Sequence, residues 1–125
     1  IEVGVVGAAG RMGSEVVRAV DAADDLHLAA AIDIGDPLDR LEGSGVQIAV
    51  DFTTPDAVMA TLDHCIAHGI HAVVGTTGFD EGRLDEVRSK LVEHPEVGVV
   101  IAPNFALGAV LLMRFAREAS PYFES

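Results

Sequence analysis

The stretch "VVGAAGRMG", residues 5 to 13, decides the fold of this chain because it joins an apolar run to a helical pattern. The preceding residues "EVGVV" are typical of a buried strand. The residues from Arg11 to Ala23 repeat apolar side chains at helical spacing, with Met12, Val16 and Val20 on one face. A glycine-rich connection between a strand and a helix is typical of an α/β fold that holds a phosphate group at the helix N-terminus.

The same alternation of strand and helix continues along the chain. Strands are predicted at 2–6, 26–33, 46–52, 70–75 and 97–102, and helices at 11–23, 53–69, 80–93 and about 105–120. The strands lack strict polar alternation, which indicates a parallel sheet covered on both faces. We therefore predict an α/β fold, a Rossmann-like doubly wound parallel sheet of about five strands in the order 3-2-1-4-5.

Composition excludes several classes of function. The 125 residues are half apolar, which suits one globular domain, residues 1–125. A net charge of −12 makes nucleic acids and anionic membranes unfavourable partners but does not exclude a dinucleotide, which is bound by local dipoles. One cysteine, Cys65, precludes an internal disulfide and suits a reducing, cytoplasmic location. The longest uncharged apolar stretch is too short to span a bilayer.

The glycine loop has a physical reason for each glycine. Gly7 permits a tight turn, Gly10 lets the backbone approach a pyrophosphate, and Gly13 lets the helix pack on the sheet. Asp33 ends the second strand 20 residues after Gly13, where a carboxylate can accept hydrogen bonds from the adenosine ribose. The spacing is G-x-x-G-x-x-G, and the alternative is a structural turn with a solvated Asp33.

The surroundings of Asp33 favour NADH over NADPH. The next residue is Ile34, and an unaccompanied carboxylate repels a ribose 2′-phosphate. Arg11, at the mouth of the loop, could offset this by pairing with that phosphate. The sequence thus predicts NADH or NADPH as cofactor, with a preference for NADH.

Three other strands end in small or polar residues, at 51–54, 75–78 and 102–105. Ligands of open α/β sheets bind outside the carboxyl ends of the strands, so these segments are expected at the same edge as the glycine loop. Each segment also has a structural explanation as a helix cap or a turn.

No catalytic residue and no metal site are predicted. His64, Cys65, His68 and His71 are close in sequence, but Cys65 falls on the apolar helix face and no carboxylate accompanies the group. A solvated helix end with a buried cysteine is the preferred interpretation. Sequence motifs of a nucleophile paired with a base are also missing.

Four motifs together resemble one enzyme family. They are "VGVVGAAGRMG", "VDFTTPD", "VVGTTGF" and "IAPNFALGAVLLM", and in this order they resemble the N-terminal cofactor-binding domain of the dihydrodipicolinate reductases. The resemblance implies an oxidoreductase of lysine and diaminopimelate biosynthesis that uses NADH or NADPH. It implies hydride transfer to a small cyclic dicarboxylate of the dihydrodipicolinate type.

The resemblance also implies roles for individual residues. The cofactor-binding set would be Gly7, Ala8, Ala9, Gly10, Arg11, Met12, Gly13, Asp33, Phe52, Thr53, Gly75, Thr76, Thr77, Ala102, Pro103, Asn104 and Phe105. Within it, residues 7–12 would hold the pyrophosphate, and residues 75–77 and 102–105 would contact the nicotinamide. Thr77 would also lie near the substrate carboxylate.

The family's His-His-x-x-Lys signature does not occur before Ser125. The resemblance places it in a following domain that also forms a homotetramer. The 125-residue chain alone is therefore expected to bind cofactor without turning over. The alternatives are a free-standing NAD(H)-binding module for redox sensing or regulation, or a relative that reduces another substrate.

Overall fold

A computed structural model of the chain describes residues 1–102 and residue 114. The five strands are β1 (Glu2–Val6), β2 (His27–Ile32), β3 (Ile48–Asp51), β4 (His71–Val74) and β5 (Val99–Ile101). The helices are α1 (Arg11–Ala22), α2 (Arg40–Gly43), α3 (Pro55–Ala67) and α4 (Glu81–Glu93). All five predicted strands and the first three predicted helices are confirmed. The short α2 lies between the second and third predicted strands, where no helix was predicted. The helix predicted over about 105–120 lies outside the described residues, apart from residue 114.

The strands form one parallel sheet in the order β2-β1-β3-β4-β5. The doubly wound α/β class is confirmed, whereas the predicted strand order 3-2-1-4-5 is wrong. After β2 the chain crosses back over β1 instead of adding a third strand beyond β2. This order is the other common arrangement of doubly wound sheets, with its switch point between β1 and β3.

Packing above Gly4 gives the physical reason for the crossover. A Cβ atom at Gly4 would lie 2.9 Å from Leu41 Cδ2 and 3.0 Å from Val46 Cγ2. Both side chains belong to the segment that connects β2 to β3, and both are buried. The missing side chain in β1 therefore leaves room for this segment to pass over the strand and reach its other side.

Helices cover both faces of the sheet, which explains why the strands lack polar alternation. One face packs mainly against α1, with a buried cluster of Val3, Val5, Val16, Val20, Leu26, Ile48, Val50 and Val73. The opposite face packs against α2 and α3 through Val6, Ala30, Ile32, Leu41, Val46, Ala49, Cys65 and Ile70. Towards α4 it continues through Val58, Leu62, Ile66, Ala72, Val74, Val87 and Val97.

Helix α3 begins and ends where its sequence predicts. Thr54 is the N-cap residue, Pro55 occupies the first turn, and Gly69 follows the helix with a φ of 72°. Cys65 lies on its buried face, as predicted, and burial raises the pKa of the thiol to about 12. The charges of Asp51 and Glu42 contribute to this raised pKa, and the thiol stays protonated. None of the helices in the described part of the chain is long and apolar enough to cross a bilayer.

His71, at the start of β4, makes the fold sensitive to acid. Its Nδ1 atom accepts a hydrogen bond of 2.9 Å from the Gly98 backbone N–H, just before β5. Burial lowers the pKa of His71 below the ordinary value of 6.5, and the charge of Glu96 opposes that shift. Because the unfolded chain binds this proton more readily, His71 favours folding above about pH 6.5 and loses that contribution as the pH falls towards its lower folded pKa.

We expect His71→Ala to lower the free energy of unfolding by about 1 kcal/mol at neutral pH, since the Gly98 N–H loses its acceptor. The difference between the two proteins should shrink as the solution is acidified. Urea denaturation at about pH 7.5 and about pH 5 measures it. His27→Ala is the control, because His27 is 72% exposed. A His71→Ala difference that grows at acid pH would contradict the assignment.

Candidate functional site

The loops that follow the strands are held together at the carboxyl edge of the sheet. The ladder of backbone hydrogen bonds continues one residue beyond the strands, so each loop starts in register with its neighbour. The Phe52 N–H donates to Val6 O at 3.0 Å, and the Gly75 N–H donates to Asp51 O at 2.9 Å. The Ala102 N–H likewise donates to the β4 carbonyl of Val74 at 2.8 Å. The predicted meeting of the strand ends at one edge is confirmed.

The glycine loop is packed against its own helix. Gly7 has a φ of 88°, which side-chain-bearing residues rarely adopt. A Cβ atom on Gly13 would lie 2.6 Å from the Gly7 carbonyl carbon and closer still to its oxygen. Gly10 is the N-cap of α1 and supplies no side-chain cap, so the first-turn N–H groups of α1 remain available to an anion. The loop therefore has the shape and polarity of a pyrophosphate cradle.

Phe52 and Gly75 are matched in shape across neighbouring loops. A Cβ atom on Gly75 would lie 2.6 Å from Phe52 Cδ1 and closer to other atoms of the ring. The ring therefore lies flush on the backbone of the loop after β4. Only glycine at this position lets the two loops approach so closely.

These loops enclose a cleft of about 370 Å³. Its lining brings together eight of the seventeen predicted cofactor contacts, from three separate loops. The lining residues are Gly10, Arg11, Met12, Phe52, Thr53, Pro55, Gly75, Thr76 and Thr77. Pro55 is the one lining residue that the sequence did not predict, although its place at the start of α3 puts it beside Thr53.

Asp33 lies beside a second, smaller cavity of about 170 Å³ rather than in the first cleft. The two cavities share Thr53 in their linings. Asp33 Oδ1 accepts a hydrogen bond of 3.0 Å from the Ala9 N–H, so the carboxylate is tied to the glycine loop. Asp36 Oδ2 in turn accepts from the Asp33 N–H at 2.8 Å. The other lining residues are Val6, Ile34, Gly35, Asp36, Leu38, Ala57, Ala60 and Thr61.

A buried carboxylate joins the loops after β3 and β4. Asp51 is only 2% exposed, and its Oδ1 atom accepts from the Thr53 N–H at 2.9 Å and the Thr53 hydroxyl at 2.7 Å. The Thr76 hydroxyl donates to the same atom at 2.6 Å. Asp51 Oδ2 is buried and has no hydrogen-bond partner among the described residues. Asp51 thus holds together two loops that line the first cleft.

Asp51 was not among the predicted site residues. The signal available in the sequence is a carboxylate at the second-to-last position of the apolar run "VQIAVDF", where a strand residue faces the core. Thr76 was predicted to contact the nicotinamide. It is only 5% exposed, and its hydroxyl donates to Asp51. Thr77 is exposed, so its side chain is accessible to a ligand.

The other predicted residues fall into three groups. Gly7, Ala8, Ala9 and Gly13 belong to the glycine loop and its helix without lining either cavity. Ala102 is buried directly after β5 and does not line them either. Pro103, Asn104 and Phe105 lie outside the described residues.

Comparison with known proteins points to one family. The family model described as "Dihydrodipicolinate reductase, N-terminus" matches residues 1–105. Two curated relatives named 4-hydroxy-tetrahydrodipicolinate reductase align with all 125 residues. They are from Streptomyces avermitilis, with 56% identity, and Nocardia farcinica, with 58% identity. In each case the alignment covers 50% of the relative, so the chain spans about half the length of these curated relatives.

A solved structure agrees with this result. A dihydrodipicolinate reductase from Paenisporosarcina sp. TG-14, described as dipicolinate bound, superposes with a TM-score of 0.74 and 30% sequence identity. The superposition covers 98% of this chain and 54% of that protein.

Proposed function

The chain belongs to the dihydrodipicolinate reductase family, and we propose that it binds the nicotinamide cofactor of such a reductase. The observation that carries this proposal is the meeting of the glycine loop with the loops after β3 and β4 in one cleft of about 370 Å³. The fit is supported by the glycines, because a Cβ atom at Gly13 or Gly75 would collide with the loops that form the cradle. The α1 N-terminus offers N–H donors that suit a pyrophosphate.

The cofactor would extend along the carboxyl edge of the sheet. We assign the pyrophosphate to residues 7–12 and the adenosine ribose to Asp33, next to the smaller cavity. The nicotinamide end would enter the first cleft, against Phe52 and residues 75–77. By the family resemblance, residues 102–105 are also assigned to the nicotinamide. The adjacency of the two cavities at Thr53 supports a single elongated ligand over two separate ones.

The proposed reaction is hydride transfer to a cyclic dicarboxylate of the dihydrodipicolinate type. The bound dihydronicotinamide supplies the hydride, and the protein contributes binding, orientation and exclusion of water. The dipicolinate bound to the solved relative supports this substrate class. Thr77 is our candidate for a contact to a substrate carboxylate, because it is exposed in the cleft lining.

The isolated 125-residue chain is proposed to bind cofactor without catalysing turnover. It spans about half of its curated relatives, and the proton donor, the substrate clamp and the tetramer contacts are assigned to the other half. Enclosing the bound substrate for turnover would then require the second domain.

Calorimetric titration of the 125-residue chain with NADH and, separately, NADPH tests the cofactor proposal. We expect saturable 1:1 binding, with NADH bound about tenfold more tightly because the Asp33 carboxylate repels a 2′-phosphate. Asp33→Asn should reduce this preference. Asp85→Asn, with the same change of charge on the exposed side of α4, should not.

Absence of binding by a folded chain would refute the proposal. Folding can be checked with the buried Cys65 thiol, which should react with an aromatic disulfide reagent only after denaturation. Tighter binding of NADPH would retain the cofactor site and contradict the role given to Asp33.

A further inference from the structure

A group of three potential metal ligands lies away from the two cavities. Glu42 of α2 meets His64 and His68 of α3, and their ligand atoms lie within 4.8 Å of one another. His64 Nε2 is 2.6 Å from Glu42 Oε2, and His68 Nε2 is 3.6 Å from Glu42 Oε1. All three side chains are accessible to solvent to some degree, so an ion could enter.

The fold explains why these residues meet. His64 and His68 are four positions apart, which places them on the same side of the C-terminal end of α3. Buried Leu41 anchors α2 against the sheet, and its neighbour Glu42 reaches the two imidazoles. The sequence-based argument that no carboxylate accompanies these histidines is therefore wrong. The crossover from β2 to β3 supplies one from 22 residues before His64.

The hydrogen bonds fix where the His68 ring carries its proton. Its Nδ1 atom lies 2.8 Å from the His64 carbonyl oxygen, which can only accept, so Nδ1 is the donor. In the neutral ring, Nε2 then presents a lone pair towards Glu42 Oε1, which is also an acceptor. A positive centre between these two atoms would satisfy both. A backbone carbonyl that holds one imidazole nitrogen while the other faces a ligand is the usual outer-shell arrangement of metal-bound histidine.

We propose that Glu42, His64 and His68 bind a divalent transition-metal ion, with Zn²⁺ the best match. Two imidazole nitrogens and one carboxylate oxygen suit Zn²⁺ and leave a fourth position for water. Tetrahedral ligands of Zn²⁺ lie roughly 3.3 Å apart, so the 3.6 Å pair is close to the required spacing. The closer pair of His64 and Glu42 must open by about 0.7 Å, which rotation of these partly exposed side chains allows.

The bound ion would link α2 directly to α3. Residues 33–36 and Leu38, which line the smaller cavity, lie just before α2 in the same crossover. A metal at this place would hold the crossover against α3 from outside the cavity. The site is thus a structural link and takes no part in the proposed hydride transfer.

Titration of the chelator-treated 125-residue chain with Zn²⁺, in the absence of nucleotide, tests the site. We expect one Zn²⁺ per chain. His64→Gln, His68→Gln and Glu42→Gln should each weaken binding by about tenfold or more. His27→Gln is the matched control. His27 also pairs with a carboxylate, that of Glu2, but the described residues place no third potential ligand beside this pair. Its affinity for Zn²⁺ should equal that of the unaltered chain.

Nitrogen NMR of the histidine side chains gives a second readout that does not depend on the variants. Zn²⁺ should shift the Nε2 signals of His64 and His68 and leave those of His27 unchanged. Equal Zn²⁺ affinity in all four variants, or no saturable binding to the unaltered chain, would overturn the proposal. Glu42, His64 and His68 would then form only hydrogen-bonded ion pairs, without a metal. Neither result bears on the cofactor proposal, because no nucleotide is present.

Discussion

Replacing Gly13 with alanine is expected to weaken dinucleotide binding strongly and to destabilise the fold. The new methyl group would collide with the Gly7 carbonyl group, which is backbone and cannot rotate away. Either α1 or the glycine loop must move, and both form the proposed pyrophosphate cradle. We expect the free energy of unfolding to fall by about 3 kcal/mol, in the range of overpacked sites. Affinity for NADH should fall on the order of a hundredfold.

Gly82→Ala is a matched control for this substitution. Gly82 also lies in the first turn of a helix, α4, but its added Cβ atom would meet nothing closer than Asp80 Oδ1 at 3.5 Å. Alanine should therefore stabilise α4 by about 0.5 to 1 kcal/mol and leave NADH binding unchanged. Urea denaturation and calorimetry measure both effects. A folded Gly13→Ala chain that binds NADH normally would show that the cofactor does not use this loop.

Local signals made most of the fold predictable. The glycine loop, the Pro55 start of α3 and the positive φ after it at Gly69 all depend on residues that are close in sequence. At each of these places the residue type strongly favours one backbone conformation, so the turn or helix end can be located from the residue type. The apolar strands were predictable for the same reason, since their continuous hydrophobic character indicates burial on both faces.

The order of the strands depended on contacts that are distant in sequence. Whether the chain after β2 continues outward or returns across β1 is decided by how Leu41 and Val46 pack over Gly4. None of these three residues indicates the strand order by itself. Only their juxtaposition, across about 40 residues, favours the return.

The same limit applies to the buried carboxylate and the histidine cluster. Asp51 meets Thr76 at a separation of 25 residues, and Glu42 meets His64 at a separation of 22. Sequence reasoning placed the loops of the site at one edge but did not indicate which side chains would bond to each other. Hydrogen bonds between loops require atomic positions, whereas the arrangement of loops requires only the direction of the strands.

Asp51→Ala, at the end of β3, is expected to lower both the stability of the fold and the affinity for NADH. It removes the acceptor used by the Thr53 N–H, the Thr53 hydroxyl and the Thr76 hydroxyl. Buried donors that lose their acceptor cost about 1 to 3 kcal/mol each, and Thr76 can partly satisfy the Thr53 N–H at 3.0 Å. We expect the free energy of unfolding to fall by about 3 kcal/mol, together with a loss of NADH affinity.

Asp51→Asn separates the hydrogen bonds from the negative charge. The asparagine Oδ1 atom can accept the same three bonds, and its amino group would occupy the position of Oδ2, which has no partner among the described residues. If the bonds hold the loops, asparagine should keep NADH affinity within about threefold of the unaltered chain, while alanine should not. Calorimetry of the two variants side by side measures this difference.

A double-mutant cycle with Thr76→Val tests whether the carboxylate acts by joining the loops. The valine side chain has a similar shape but cannot donate to Asp51 Oδ1, so each single substitution breaks the same bond. The double variant should therefore be about 1 to 2 kcal/mol more stable to urea than the sum of the single effects predicts. Additive effects would show that Asp51 and Thr76 contribute independently. In that case the bond between them is not what holds the loop after β4 against the loop after β3.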